Sequence, residues 1–271
     1  MSRQPRRITA AVLAVCAAML WCGDLSADGG AGTPHLEKVP GPRVAQQDRP
    51  EVAAWPVLRY ARPLRVLAIL DKRTAAAGVQ RIARRLRAAL EVRYLSHGGG
   101  ADEIYHVNDK WIEPKENPTR EELRQYAEGV VVDTLREAAR SASFDVVLLA
   151  AGAEHEEVQR AAVACARAGA VVVVTGHVEP AAESPLGEVW PAASTGRRSW
   201  HAGGAEPTDH PALAGVPVAR LRGHRWMPLI EPADGAVALA RGESGAAVFR
   251  EVGRGKVLYV PAGPISRYHA A

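Results

Sequence analysis

The stretch FDVVLLAAGAEHEEVQRAAVACARAGAVVVVTG, residues 144 to 176, decides the fold. It opens with a short apolar run, Phe144 to Ala150, and closes with another, Ala170 to Thr175. Neither run alternates between apolar and polar residues, so each reads as a strand covered on both faces. Between them Glu154 to Ala168 has the spacing of a helix, and Gly169 stops it. Strand, helix and strand in about thirty residues is the pattern of a parallel crossover. A parallel sheet sheathed by helices follows.

The same alternation extends upstream. Leu64 to Leu70 (LRVLAIL) is a short strand closed by Asp71, and Glu91 to Leu95 is a second. Ala76 to Leu90 carries Val79, Ile82, Ala83, Leu86 and Leu90 at helical spacing. Thr119 with Glu122 three places later forms a capping box, which starts a helix running to about Arg140. Downstream, residues 180 to 235 read as loops rich in Pro, Gly and Trp. Ala236 to Ala240, Ala246 to Glu251 and Lys256 to Val260 then read as strands that extend the sheet, partly antiparallel at its edge.

The amino-terminal part differs in character. Arg3, Arg6 and Arg7 precede an apolar run from Ile8 to Trp21, too short to span a bilayer comfortably and suited to a signal peptide. Residues 1–27 are therefore expected to direct export to the periplasm or the exterior, with cleavage after Ala27. Contact with a membrane is expected only through an uncleaved signal or a lipid on Cys22. Residues 28–62, rich in Gly, Pro and Ala, read as a flexible linker, and residues 63–271 as one domain. Of three cysteines, Cys165 alone lies beyond the targeting segment, so no internal disulfide forms in the mature chain. It sits inside a predicted helix and reads as a buried structural thiol.

The net charge of +4 comes largely from Arg residues scattered over helices, such as Arg81, Arg84, Arg85 and Arg87. Only 5% of residues are aromatic, so a basic stripe interleaved with aromatics is lacking, and no nucleic-acid partner is expected.

Ligands of open α/β sheets sit beyond the carboxyl ends of the strands. The residues expected there are Asp71, His97 with three glycines after it, Gly152, and Gly176-His177-Val178-Glu179. His177 follows the buried strand directly and is the candidate acid/base or ligand-binding histidine, with Asp71 or Glu179 as its carboxylate. His210, next to Asp209, is the remaining candidate for ligand binding. His177, His210 and Glu179 lack the close spacing of a metal site, so neither metal nor cofactor is expected. Ser184 and Ser244 lack the elbow of a serine hydrolase.

In their order, several segments resemble the class I glutamine amidotransferase-like superfamily, and in particular its trehalose-utilisation-like (ThuA-like) branch. They are Arg65 to Leu70, Phe144 to Leu149, the helix ending at Gly169 followed by Ala170 to His177, His210 to Pro217 (HPALAGVP), and Gly253 to Tyr259 (GRGKVLY). Together they span about 65 to 263. The resemblance implies a flavodoxin-like, mostly parallel sheet with helices on both faces and a hairpin at its carboxy-terminal edge. It also exposes departures. Amidotransferases carry a nucleophilic cysteine at the turn after the strand that here ends in Thr175, and this chain has Gly176-His177. Their His-x-Glu pair near the carboxy terminus is absent as well. The acidic stretch that follows the HP motif in ThuA-like proteins is replaced by Arg222-Gly223-His224-Arg225-Trp226. Glutamine hydrolysis by that route is not expected. The expectation is a non-catalytic domain that binds a small molecule, carbohydrate included, or a partner protein. Alternatives are a carbohydrate-active enzyme using His177, and a structural or assembly module.

Overall fold

A computed structural model describes residues 63–71, 79–80, 83, 88–95, 106–107, 110–111, 119–176, 178–199, 206–210, 227–241 and 247–261. The expected signal peptide and linker lie outside the described residues, as do His97 and His177. Among the described residues, no helix is long and apolar enough to cross a membrane.

The chain forms β1 (Arg65–Leu70), β2 (Ala89–Tyr94), β3 (His106–Val107), β4 (Lys110–Trp111), α1 (Arg120–Ser141), β5 (Val146–Leu149), α2 (Glu156–Ala168) and β6 (Val171–Thr175). A 3-10 turn at Gly187–Val189 follows, then β7 (Ala192–Ser199), β8 (Glu206–Pro207), β9 (Met227–Pro232), β10 (Val237–Arg241), β11 (Ala247–Val252) and β12 (Gly255–Val260).

Eight strands make one sheet in the order β2-β1-β5-β6-β12-β11-β10-β8. The first five run parallel, with Val147 opposite Val172 and Val257 also opposite Val172. β11, β10 and β8 then alternate in direction. The pairing of β5 with β6, expected from their unbroken apolar runs, is present.

Successive side chains on a strand face opposite sides, and both sides are covered. Leu67, Ile69, Val147, Leu149, Val172, Val174 and Val257 are buried in one cluster with Val131 and Leu135 of α1 and Val158, Ala162 and Ala166 of α2. Their neighbours Val66, Ala68, Val146, Leu148, Val171 and Val173 are buried as well. Each buried Val, Leu or Ile side chain contributes about 1.5–3 kcal/mol on leaving water. Of the connection between β1 and β2, Val79, Gln80 and Ala83 are helical, with Val79 and Ala83 buried. The right-handed rule for parallel crossovers puts them on the face opposite α1 and α2.

Local sequence explains the helix ends. Thr119 Oγ1 accepts from the Glu122 N–H at 3.2 Å, and the Glu122 carboxylate accepts from the Thr119 N–H at 2.6 Å. This reciprocal pairing fulfils the capping box. α2 starts at Glu156 rather than Glu154, because the His155 N–H bonds the Gly152 carbonyl at 3.0 Å and makes His155 the N-cap.

Three expectations need correction. The helix expected over 76–90 gives way at its end: Ala89 and Leu90 pair with Arg65 and Val66 and belong to β2. Apolar residues there fit either period, and the ladder to β1 decides. Residues 180 to 235 hold strands as well as loops, since β7 and β9 form an antiparallel ribbon. The closing hairpin is not at the sheet edge. β12 lies inside the sheet, parallel to β6, while β8 forms the edge. The ladder decides: Lys256 to Val260 pair with Val171 to Thr175 of β6. A Cβ on Gly255 would stand 2.0 Å from the Ala170 carbonyl oxygen, so the glycine lets the β11–β12 turn press against the end of α2. Arg254 locks that contact by donating to the Ala168 carbonyl at 2.8 Å.

Candidate functional site: the carboxyl mouth of the sheet

β1, β5, β6 and β12 end on the same side, and the polar groups that follow β6 gather around one buried phenol. Tyr259, on β12, is 1% exposed. Its hydroxyl donates to the Gly176 carbonyl at 2.9 Å, just past the end of β6. Burial pushes the phenol up to about 12; the Glu179 carboxylate adds to the rise, and a backbone hydrogen bond at Val178 works against it. The phenol is thus a neutral donor and not a proton-transfer group at ordinary pH. The Trp190 ring lies against it, with centroids 4.4 Å apart and planes at 44°. Glu179 is exposed and accepts from the Ser194 hydroxyl at 3.4 Å.

Gly176 has φ +93, and among the described residues a Cβ there would meet nothing within 4 Å. Gly152, after β5, is different: its φ is +84, and a Cβ would stand 2.5 Å from Leu95 Cδ1. Packing over the end of β2 therefore accounts for that glycine without a ligand. Asp71 follows β1 and is half-buried. β5 lies between β1 and β6. Strand spacing therefore puts Asp71 about 10 Å across the mouth from Gly176.

A second polar group fixes the rim. Gln159 of α2 is 5% exposed, donates to the Ala153 carbonyl at 2.7 Å and accepts from the Leu186 N–H at 3.2 Å. One buried amide thus ties the loop after β5 to the loop after β6. Leaving either backbone group unpaired would cost about 1–3 kcal/mol. His155, at the start of α2, lies 3.2 Å from Glu128 of α1 through Nδ1.

His210 does not share the mouth. Its ring meets Phe249 edge-on at 5.5 Å, and burial, then the nearby Lys256 charge, lower its pKa. Lys256 sits 4.5 Å above the same Phe249 ring and opposite Val171, the first residue of β6. Phe249 pairs with Leu258, and Tyr259 with Val248, so Phe249 and Tyr259 project from opposite faces. His210 therefore belongs to the far face and the amino half of the sheet. The displacement arises because β8 pairs antiparallel with β10 and carries the chain away from the carboxyl edge.

The structure thus brings Gly176 and Glu179 together, sets Asp71 and Gly152 on the same rim, and separates His210 from them. Among the described residues no group of His, Cys, Asp and Glu is arranged to hold a metal ion. Cys165 is buried, donates to the Leu135 carbonyl at 3.2 Å, and is pushed by burial to about 12. It is an unreactive thiol between the two helices. Tyr259 and Gln159 escaped sequence reasoning. The available signal was a polar residue at 159 on the helix face of Ala162 and Ala166, and one phenol among the aliphatic residues of β12.

No protein-family model matches the chain, and no curated protein does. Among solved structures, it is similar to the cold-adapted β-galactosidase from Rahnella sp. R3, with 14% identity, 77% of this chain and 30% of that one covered, and a TM-score of 0.38. The exo-β-1,4-mannosidase Op5Man5 from Opitutaceae bacterium strain TAV5 matches with 14% identity over 74% of this chain and 31% of its own, at a TM-score of 0.33. The β-galactosidase from Bacillus circulans sp. alkalophilus matches with 12% identity over 76% and 29%, at 0.34. The chain spans less than a third of the length of each. Likenesses of this size define neither its architecture nor its activity. The architecture rests on its own strands: a mixed α/β fold around a mostly parallel sheet.

Proposed function

We propose that this chain is an exported, non-catalytic relative of the amidotransferase-like proteins that binds a small molecule, with carbohydrate as the favoured class, at the carboxyl mouth of a flavodoxin-like sheet. The observation that carries the reading is the Tyr259–Gly176 hydrogen bond. Where amidotransferases hold a nucleophile, β6 is followed here by Gly176, whose carbonyl is pinned by a buried, neutral phenol. Among the described residues nothing crowds that glycine, and Glu179 accepts from Ser194. Such a mouth offers a fixed set of acceptors and a place to dock, with no nucleophile at the turn. The resemblance to the trehalose-utilisation-like branch supports a sugar. The basic, then apolar amino-terminal segment supports export.

The experiment is a thermal-shift panel of mono- and oligosaccharides and other small polar metabolites on the purified mature protein. A ligand that binds the folded state raises Tm with its concentration. The expected result is a saturable rise for at least one compound, without turnover of it. Ammonia release from glutamine, turnover of a panel sugar, or a flat response across the panel contradicts the reading. Export is tested separately by expressing the full chain in a bacterium. The expected product is outside the cytoplasm and begins after Ala27; a cytoplasmic, full-length product contradicts it.

A further inference from the structure

We draw no further inference here: the strongest candidate, the shallow groove between helices α1 and α2 lined by Gln125, Glu128, Gly129, Val132, Asp133 and Glu157, is an acidic cluster whose carboxylates already pair with Arg136 and His155, and nothing in the structure shows what covers it.

Discussion

The Tyr259 hydroxyl and the Gly176 carbonyl, 83 residues apart in the chain, meet at 2.9 Å and tie β12 to the exit of β6. The bond makes the carboxyl mouth a property of the closing hairpin as much as of the central strands. Tyr259→Phe keeps the ring against Trp190 and removes only the donor. It is expected to cost about 0.5–1.5 kcal/mol in urea unfolding, the net value of a hydrogen bond. Tyr259→Ala also empties the ring's site, and is expected to cost about 3–5 kcal/mol.

Alkaline titration supplies an independent check. The folded-state value of Tyr259, about 12, lies above the ordinary phenol value of 10.0. The unfolded chain therefore loses its phenolic proton first. The associated stability is fully present below pH 10 and disappears as pH rises from 10 through 12. Two pH units correspond to about 3 kcal/mol. Cys165 acts in the same direction and begins to do so near pH 9, since burial raises it from 9.0 to about 12. Unfolding free energy followed from pH 8 to 11 is expected to fall, and the fall above pH 10 should shrink in Tyr259→Phe. An unchanged slope in that variant would show that the phenol titrates normally in the fold.

The Gln159 amide holds two loops at once. Gln159→Leu has similar size but leaves the Ala153 carbonyl and the Leu186 N–H without their side-chain partner. A loss of about 2–6 kcal/mol is expected, from two unmet groups at about 1–3 kcal/mol each. Hydrogen exchange at the Leu186 amide should accelerate more than at Val173, in the sheet centre. Equal protection at both amides would mean that the loop is held by other contacts.

Two glycines should respond in opposite senses. Gly255→Ala drives a Cβ to within 2.0 Å of the Ala170 oxygen, which is backbone and cannot swing aside. A loss of at least about 1–3 kcal/mol is expected. Gly129 lies in the interior of α1, and among the described residues a Cβ there meets nothing within 4 Å. Gly129→Ala is expected to stabilise the protein by about 0.5–1 kcal/mol. Thermal unfolding of the two variants side by side provides the comparison.

Much of this architecture was legible because burial on both faces leaves a mark in sequence. Val146–Leu149 and Val171–Thr175 carry no alternation, and that alone requires cover above and below. Thr119 and Glu122 announced a helix start through chemistry confined to four residues. β7 and β9 left no such mark. β7 reads AASTGRRS, small and polar, while β9 contains Pro228 and Pro232, which count against a strand inside a sheet. Their pairing is visible only once the chain has folded back. The positions of Gly176 and Glu179 were legible because both follow one strand. The site was not legible where distant segments build it. Tyr259 reaches Gly176 across 83 residues, and Leu186 reaches Gln159 across 27. The place of His210 was not legible either, because two residues of β8, opposite Ala240 and Arg241, decide where the chain goes.

The most direct measurement is titration calorimetry with the compound that gives the largest thermal shift, on the wild type, Glu179→Gln and His210→Ala. Glu179 acts electrostatically on the Tyr259 phenol that bonds Gly176, while His210 meets Phe249 edge-on on the far face. Affinity should fall at least about tenfold in Glu179→Gln, the loss of one charged hydrogen bond of roughly 1.5–3 kcal/mol, and stay within about twofold in His210→Ala. Affinity lost in His210→Ala and kept in Glu179→Gln would place the ligand elsewhere and contradict the account.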